Sequence, residues 1–300
     1  MMRCRKPVLF RSGYARCGQC RSCRIDRRRI WAHRIMLEAK LSSASSFVTL
    51  TYEDGKLPKS VGSDSWTLSP EHLQGWLKRI RRKVMPSKLR FFAVGEYGET
   101  TFRPHYHAAI FGGSACMYGV SQYSKVRTEC CEWCQLVTKS WGFGNTFVGQ
   151  LTDRSAAYIA GYVVKKMTHR DDWRLQAGQC PEFARMSLKP GIGAGVSSEV
   201  ASLILEFDYE DVLEDVPSTL QHEMKELPLG RYLRRRIRAE IGWAPQAPRV
   251  VREKLLEEMR FVQKAAEHLG VATKELVRQL WEPLAEAQER KDEILRRRKS

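Results

Sequence analysis

The sequence has no apolar run approaching the roughly 18–20 residues that cross a bilayer, so no membrane-spanning helix is expected. Its basic opening, Met1-Met2-Arg3-Cys4-Arg5-Lys6, is followed by neither an apolar h-region nor a small-residue cleavage site, and no secretory signal is expected. Acidic residues are in short supply: 34 Asp and Glu stand against 51 Lys and Arg, a formal net charge of +17. Such an excess suits a polyanionic partner. A disulfide framework is missing too, because the nine cysteines are odd in number and clustered with Cys-x-x-Cys spacing. That usage fits a reducing compartment with metal-bound or unoxidised thiols. The glycine-rich stretch Lys189 to Gly195 lacks the Lys-Ser/Thr ending of a phosphate-cradling loop and reads as a structural turn. The leucines and valines of residues 250 to 297 keep no strict seven-residue repeat, which argues against a long coiled coil, and no internal repeat is evident.

What is present centres on residues 90 to 112. Phe91-Phe92-Ala93-Val94 forms an apolar run ending at Glu96, a turn-rich segment follows, and Arg103-Pro104-His105-Tyr106-His107-Ala108-Ala109-Ile110-Phe111 closes at Gly112. Alternation and aromatic content predict two antiparallel strands, in which side chains two apart share a face. His105 and His107 then converge while Tyr106 points away. If the hairpin turns around residues 97 to 103, Glu96 lies across from the histidines and completes a site of two imidazoles and one carboxylate, with coordination positions open to substrate. The alternative is that the histidines are ordinary strand residues.

Downstream, Ser155 to Lys166 has helical spacing after a cap at Thr152 or Asp153, which sets Tyr158 and Tyr162 on one helix face with Lys165 and Lys166 one turn on. Taken alone, these phenols also fit a half-buried aromatic pair on an amphipathic helix. Upstream, Phe47-Val48-Thr49-Leu50-Thr51-Tyr52 alternates as a strand and ends in a turn at Asp54-Gly55.

In this order, the strand at 47 to 52, the His105-Tyr106-His107 motif after Arg103-Pro104, and the Tyr158/Tyr162 helix resemble the three motifs of HUH endonucleases of the replication-initiator class. Cys17-Gly-Gln-Cys20-Arg-Ser-Cys23 and Met186 to Gly193 are similar to the gokushovirus-like initiators of the Microviridae, small single-stranded DNA phages. The resemblance spans roughly residues 15 to 195 and covers Glu96 as third metal ligand. It implies a rolling-circle replication initiator that nicks and rejoins single-stranded DNA at an origin through a 5′-phosphotyrosine link. The implied roles are Tyr158 and Tyr162 as nucleophiles, Lys165 as their helper in a Tyr-x-x-Lys pattern, and Mg²⁺ or Mn²⁺ on Glu96, His105 and His107. Gly161 stands where Tyr158 would need its lysine, so the two tyrosines are not equivalent by pattern. The implied partners are single-stranded or supercoiled origin DNA and the host helicase and polymerase, in the cytoplasm of the bacterial host.

The expected organisation is a basic, cysteine-containing arm and helix over 1–45, an endonuclease domain over 46–170, and a mainly helical basic region over 171–300. The fold expected for the middle part is α+β, an antiparallel sheet with helices on one face. Residues 1–45 carry twelve Lys or Arg against Asp26 and Glu38, and Arg24, Arg27, Arg28, Arg29 and Arg34 on a helix from Ile25 to Leu41 are candidate DNA-backbone contacts, or simply a solvated face. Leu229 to Arg238 reads as a second basic amphipathic helix. Cys17, Cys20 and Cys23, pooled with Cys131 and Cys134, offer four thiolates to a structural zinc ion, the alternative being reduced thiols without metal. Two further functions fit part of the pattern. An iron(II) oxygenase site shares the two-His-one-carboxylate set but leaves the tyrosines and the charge without a role. A non-catalytic, zinc-containing DNA-binding or packaging protein accounts for charge and cysteines alone.

Overall fold

The computed structural model describes residues 4–10, 13–117, 130–162, 172–176 and 178–297. In chain order its elements are β1 (Val8–Phe10), β2 (Gly13–Ala15), α1 (Arg21–Leu41), β3 (Ser45–Thr51), α2 (Pro70–Val84), β4 (Arg90–Tyr97), β5 (Pro104–Phe111), α3 (Glu132–Trp141), β6 (Thr146–Gln150), α4 (Asp153–Tyr162), β7 (Phe183–Met186), α5 (Gly195–Glu206), β8 (Thr219–His222), β9 (Lys225–Pro228), α6 (Gly230–Glu240), α7 (Arg249–Leu269) and α8 (Thr273–Arg297). The chain divides into two compact units: Trp31–Val196, and Met1–Ile30 together with Ser197–Ser300.

The unit Trp31–Val196 is built on a five-stranded antiparallel sheet in the order β6-β3-β5-β4-β7. Strand alternation sends Val48 and Leu50 of β3, Phe91 and Ala93 of β4, and Tyr106, Ala108 and Ile110 of β5 to one face, which α2 and α3 cover. Helix α2 meets it with Leu73, Trp76, Leu77 and Ile80, the 3.6-residue period of a single buried stripe. Its start is fixed locally: Pro70 opens the helix and the Ser69 Oγ accepts the His72 N–H at 3.2 Å. Helix α3 stops at Gly142, whose φ of 69° suits only a residue without a side chain and lets its N–H donate to the Thr138 carbonyl at 3.2 Å.

Helices cover both faces of the sheet, which corrects the expected one-faced arrangement. Phe92 and Val94 of β4 with Ala109 and Phe111 of β5 face the other way, where they pack on Ile35 of α1 and on Ala156, Ile159 and Ala160 of α4. The reason lies in the composition of the central strands. Phe91 to Val94 and Ala108 to Phe111 are continuous apolar runs rather than alternating ones, and a strand apolar on both sides needs two covers. A fifth strand also lies beyond residue 170: β7 pairs with β4 through Phe92↔Met186 to Gly95↔Phe183.

The other unit holds the β1–β2 and β8–β9 hairpins, the first turns of α1, and α6, α7 and α8. Much of its basic character is used internally: Arg28 pairs with Asp292, Arg5 Nη2 lies 3.0 Å from Glu289 Oε2, and Asp215 is gripped by both Arg234 and Arg238. Arg238, on the basic helix expected at 229–238, is only 4 % exposed. In the sheet unit, Arg34 is likewise buried rather than presented to a DNA backbone. Its Nε donates to the Ile192 carbonyl at 2.9 Å and its guanidinium lies 4.2 Å above the Trp31 ring centroid. Among the described residues no helix is long and apolar enough to cross a membrane.

Candidate metal and nucleophile site

The β4–β5 register places Glu96 opposite His105 and Val94 opposite His107. Residues two apart on a strand share a face, so Glu96, His105 and His107 come together at the polar end of the face that α4 covers. Glu96 Oε1 lies 2.8 Å from His105 Nε2 and 2.9 Å from His107 Nε2. One ligand atom from each residue falls within 4.8 Å of the others, a grouping that a single cation can span. Tyr106, between the histidines, turns to the opposite face, where its hydroxyl lies 2.9 Å from that of Tyr52 and accepts the Ser69 N–H at 2.9 Å.

The remaining imidazole nitrogens are held from behind. His105 Nδ1 lies 3.1 Å from the Arg103 carbonyl, which can only accept, so Nδ1 carries a proton and Nε2 is the atom left for Glu96 or a metal. His107 Nδ1 is 2.9 Å from the Thr49 Oγ1, on the neighbouring strand at the register position Thr49↔His107. Phe47, one alternation away, stacks on the His107 ring at 5.6 Å between centroids and 14° between planes. Outer partners that fix ring orientation in this way are characteristic of metal-binding histidines. Replacing Thr49 with Val keeps the shape and removes the hydroxyl. Metal affinity is expected to fall about 10- to 100-fold, which calorimetric Mn²⁺ titration of wild type and variant would read; an unchanged affinity would remove Thr49 from the site.

Glu96 is 2 % exposed and His107 5 %. Burial alone would raise the Glu96 carboxyl, but hydrogen bonds from both histidines, and their charge, outweigh it and hold the group down at about 2. Glu96 therefore stays ionised, as a ligand to a hard cation must. Metal and proton compete for the same Nε2 positions, since Nε2 has to give up its proton to ligate.

Helix α4 brings the two phenols to this centre. It starts at Asp153 beside a reciprocal cap, in which the Thr152 N–H donates to Ser155 Oγ at 2.8 Å and the Ser155 N–H to Thr152 Oγ1 at 3.3 Å. Its Ala156, Ile159 and Ala160 are buried against the sheet, and Tyr158 and Tyr162 follow at four-residue spacing with ring centroids 5.1 Å apart. The Tyr158 hydroxyl is 3.4 Å from both Glu96 Oε1 and His107 Nε2, although 46 % of the residue is exposed. Tyr162 lies parallel to the His107 ring at 6.0 Å. Its phenol is pushed well above the ordinary tyrosine value, first by burial, then by its hydrogen bond with Tyr158 and the negative charge of Glu96. Lys165 and Lys166, expected one turn on, lie outside the described residues.

The cysteines expected to bind zinc sort into two groups. Cys17, Cys20 and Cys23 are joined by Cys4, and Cys131 and Cys134 by Cys116 and Cys130. The pooled set drawn from both groups is not needed, because each finds four sulfurs of its own. Sequence reading missed Thr49, Phe47, Cys4, Cys116 and Cys130. The first two were recoverable from the alternation of β3, which puts 47, 49 and 51 on one face; Cys4 and Cys116 are remote in sequence and carried no spacing signal.

Residues 45–167 match the family model of the phage replication-associated protein ORF2. The chain is 32 % identical over 183 residues to replication-associated protein ORF2 of Spiroplasma virus 4, covering 59 % of this chain and 55 % of that protein. It is 31 % identical over 161 residues to replication-associated protein VP4 of Bdellovibrio phage phiMH2K, covering 52 % and 50 %, and 30 % identical over 156 residues to replication-associated protein ORF4 of Chlamydia phage 1, covering 50 % and 38 %. The chain thus spans about half the length, or less, of these curated relatives. No solved structure matches it. Across residues 45–167, the stretch that carries Glu96, His105, His107, Tyr158 and Tyr162, the chain is a relative of the phage replication-associated proteins of the ORF2 type.

Proposed function

We propose that the protein initiates rolling-circle replication by nicking and rejoining single-stranded origin DNA through a covalent tyrosine link. The observation that carries this reading is the Tyr158 hydroxyl 3.4 Å from both Glu96 Oε1 and His107 Nε2, a nucleophile-bearing group beside a three-ligand set with room for substrate. Mg²⁺ or Mn²⁺ on Glu96, His105 and His107 would supply positive charge to the scissile phosphate and to a phenol that is otherwise reluctant to ionise. The Tyr158 oxygen attacks phosphorus as the bond to the 3′ oxygen breaks. The downstream strand stays on the protein as a 5′-phosphotyrosine, and the upstream strand leaves with a 3′-hydroxyl that a host polymerase can extend. Lys165 is assigned to assist the tyrosine proton by its place in the Tyr-x-x-Lys pattern. Tyr162, one helical turn from Tyr158, can cut the regenerated origin while the first tyrosine still holds the old end, and the stored phosphodiester energy permits rejoining without ATP. The partners in this reading are single-stranded or supercoiled origin DNA and the host helicase and polymerase, in the cytoplasm of the bacterial host.

The polarity of the adduct tests the proposal. With single-stranded origin-like DNA and Mn²⁺ or Mg²⁺, a 3′-end label is expected to stay with the protein through denaturation, and a 5′-end label to be released on a shorter strand. Tight binding without any adduct would move the assignment to a non-catalytic DNA-binding or packaging protein. The net charge of +17 carries a separate expectation. Affinity for single strands should fall with salt at a log–log slope of about −0.7 per neutralised phosphate, or about 10²-fold between about 50 and 200 mM for about five contacts. Fluorescence anisotropy against salt reads this slope, and a flat profile would count against phosphate contacts as the source of affinity.

A further inference from the structure

We infer that the protein holds two separate structural zinc ions, one on Cys4, Cys17, Cys20 and Cys23 and the other on Cys116, Cys130, Cys131 and Cys134. In each group the four sulfurs fall within 4.8 Å of one another. The closest pairs, Cys17–Cys23 at 4.0 Å, Cys4–Cys20 at 3.9 Å and Cys116–Cys130 at 3.7 Å, are close to the edge of a zinc–thiolate tetrahedron, about 3.8 Å for a Zn–S bond of about 2.3 Å. No disulfide joins any of the nine cysteines, all of which lie among the described residues.

The two sites are built on the same local plan. Cys20 stands immediately before α1 and Cys23 is its third residue; Cys131 stands immediately before α3 and Cys134 is its third residue. A Cys-x-x-Cys placed across a helix start turns both sulfurs to one side of the first turn, where the unpaired N–H groups favour negative charge. The more remote pair then closes the set, Cys4 with Cys17 in one case and Cys116 with Cys130 in the other. In the first site the backbone is already arranged around the sulfurs: the Cys17 N–H donates to Cys4 Sγ at 3.3 Å, and the Gln19 and Cys20 N–H groups donate to Cys17 Sγ at 3.4 and 3.3 Å. The turn depends on Gly18, whose φ of 73° is open to few other residues. Three N–H groups aimed at two sulfurs suit thiolates, which accept strongly, better than thiols, which accept weakly.

Four thiolates complete a tetrahedral ion and leave no position for substrate, so both ions are structural. The first closes the chain around the β1–β2 hairpin, which lies between Cys4 and Cys17; the second ties the segment leaving β5 to the start of α3. Neither depends on the histidine–carboxylate site, and the inference stands whether or not the protein nicks DNA.

Metal content decides it. The full chain bearing Glu96→Gln, His105→Ala and His107→Ala, purified in reductant without added metal, is expected to contain two zinc ions per molecule by elemental analysis. Adding Cys20→Ser with Cys23→Ser should leave one, and Cys131→Ser with Cys134→Ser should also leave one. The otherwise unaltered chain exchanged with Co²⁺ should show thiolate-to-cobalt charge-transfer absorption, and each cysteine pair should remove half of it, a readout that does not require the variants to be equally stable. Less than one zinc ion per molecule, a single ion lost in both variants, or cobalt bound without the charge-transfer band would each overturn the inference.

Discussion

With Tyr158 and Tyr162 both changed to Phe, the denaturation-resistant DNA adduct is expected to disappear, at least about a 10³-fold loss, the scale on which a covalent mechanism suffers from deleting its nucleophile. DNA binding should persist, because the change removes two oxygens and no charge. The two single variants should differ. Tyr158 places its hydroxyl 3.4 Å from Glu96 Oε1 and His107 Nε2 and keeps 46 % of its surface open, whereas the phenol of Tyr162 is held from ionising by burial, by Tyr158 and by Glu96. The first cleavage of a single turnover should therefore fail with Tyr158→Phe and survive with Tyr162→Phe, while transfer to a second strand should need both. Unchanged nicking by the double variant would end the nuclease proposal. The reverse order in the single variants would keep the chemistry and reassign the leading tyrosine to the one that satisfies the Tyr-x-x-Lys pattern.

Changing Glu96 to Gln should reduce adduct formation by at least about 10²-fold, about 2.7 kcal/mol of barrier. Gln keeps the size of the side chain but gives up the charge that both imidazoles hold in place, with Nε2 distances of 2.8 and 2.9 Å. The cost comes from a lost anionic ligand to a divalent cation, so excess Mn²⁺ should recover part of the activity and leave the double tyrosine variant inactive. That contrast separates a ligand from a nucleophile. Full activity of Glu96→Gln in chelator-treated solution would exclude a metal at this carboxylate.

Much of this site is readable before any coordinates. Strand alternation alone puts His105 and His107 on one face and Tyr106 on the other, and pairing across a turn at 97 to 103 brings Glu96 to His105, which is the observed register. The Ser69-Pro70 start of α2 and the strand at 47 to 52 follow from equally local rules. What was not readable is non-local. Strand β7 is four residues long and reaches β4 from some ninety residues away, with no pattern of its own to mark the pairing. The continuous apolar runs in β4 and β5 did carry the message that both faces are covered, but they do not say by what; Ile35 and Ala160 belong to helices far apart in sequence. Cys4 and Cys116 join their groups across gaps of 13 and 14 residues, at which spacing no longer constrains geometry. The basic helices show the same limit from the other side: charge can be counted in a sequence, but that Arg34 and Arg238 are buried and bonded within their own units depends on the folded chain.

Because all three ligands take their positions from one pairing register, the site also reports on the completion of folding. A slip of one residue between β4 and β5 would turn the histidines or Glu96 toward the face occupied by Tyr106 and Ala108, and the ligand set would cease to exist rather than weaken. On the proposed chemistry, a chain still emerging from the ribosome or caught in a misaligned state holds tyrosines but nothing to activate them. A protein whose task is to break DNA is thereby harmless until its sheet is correctly closed, a safeguard for both the host chromosome and the replicating circle that needs no inhibitor and no second protein.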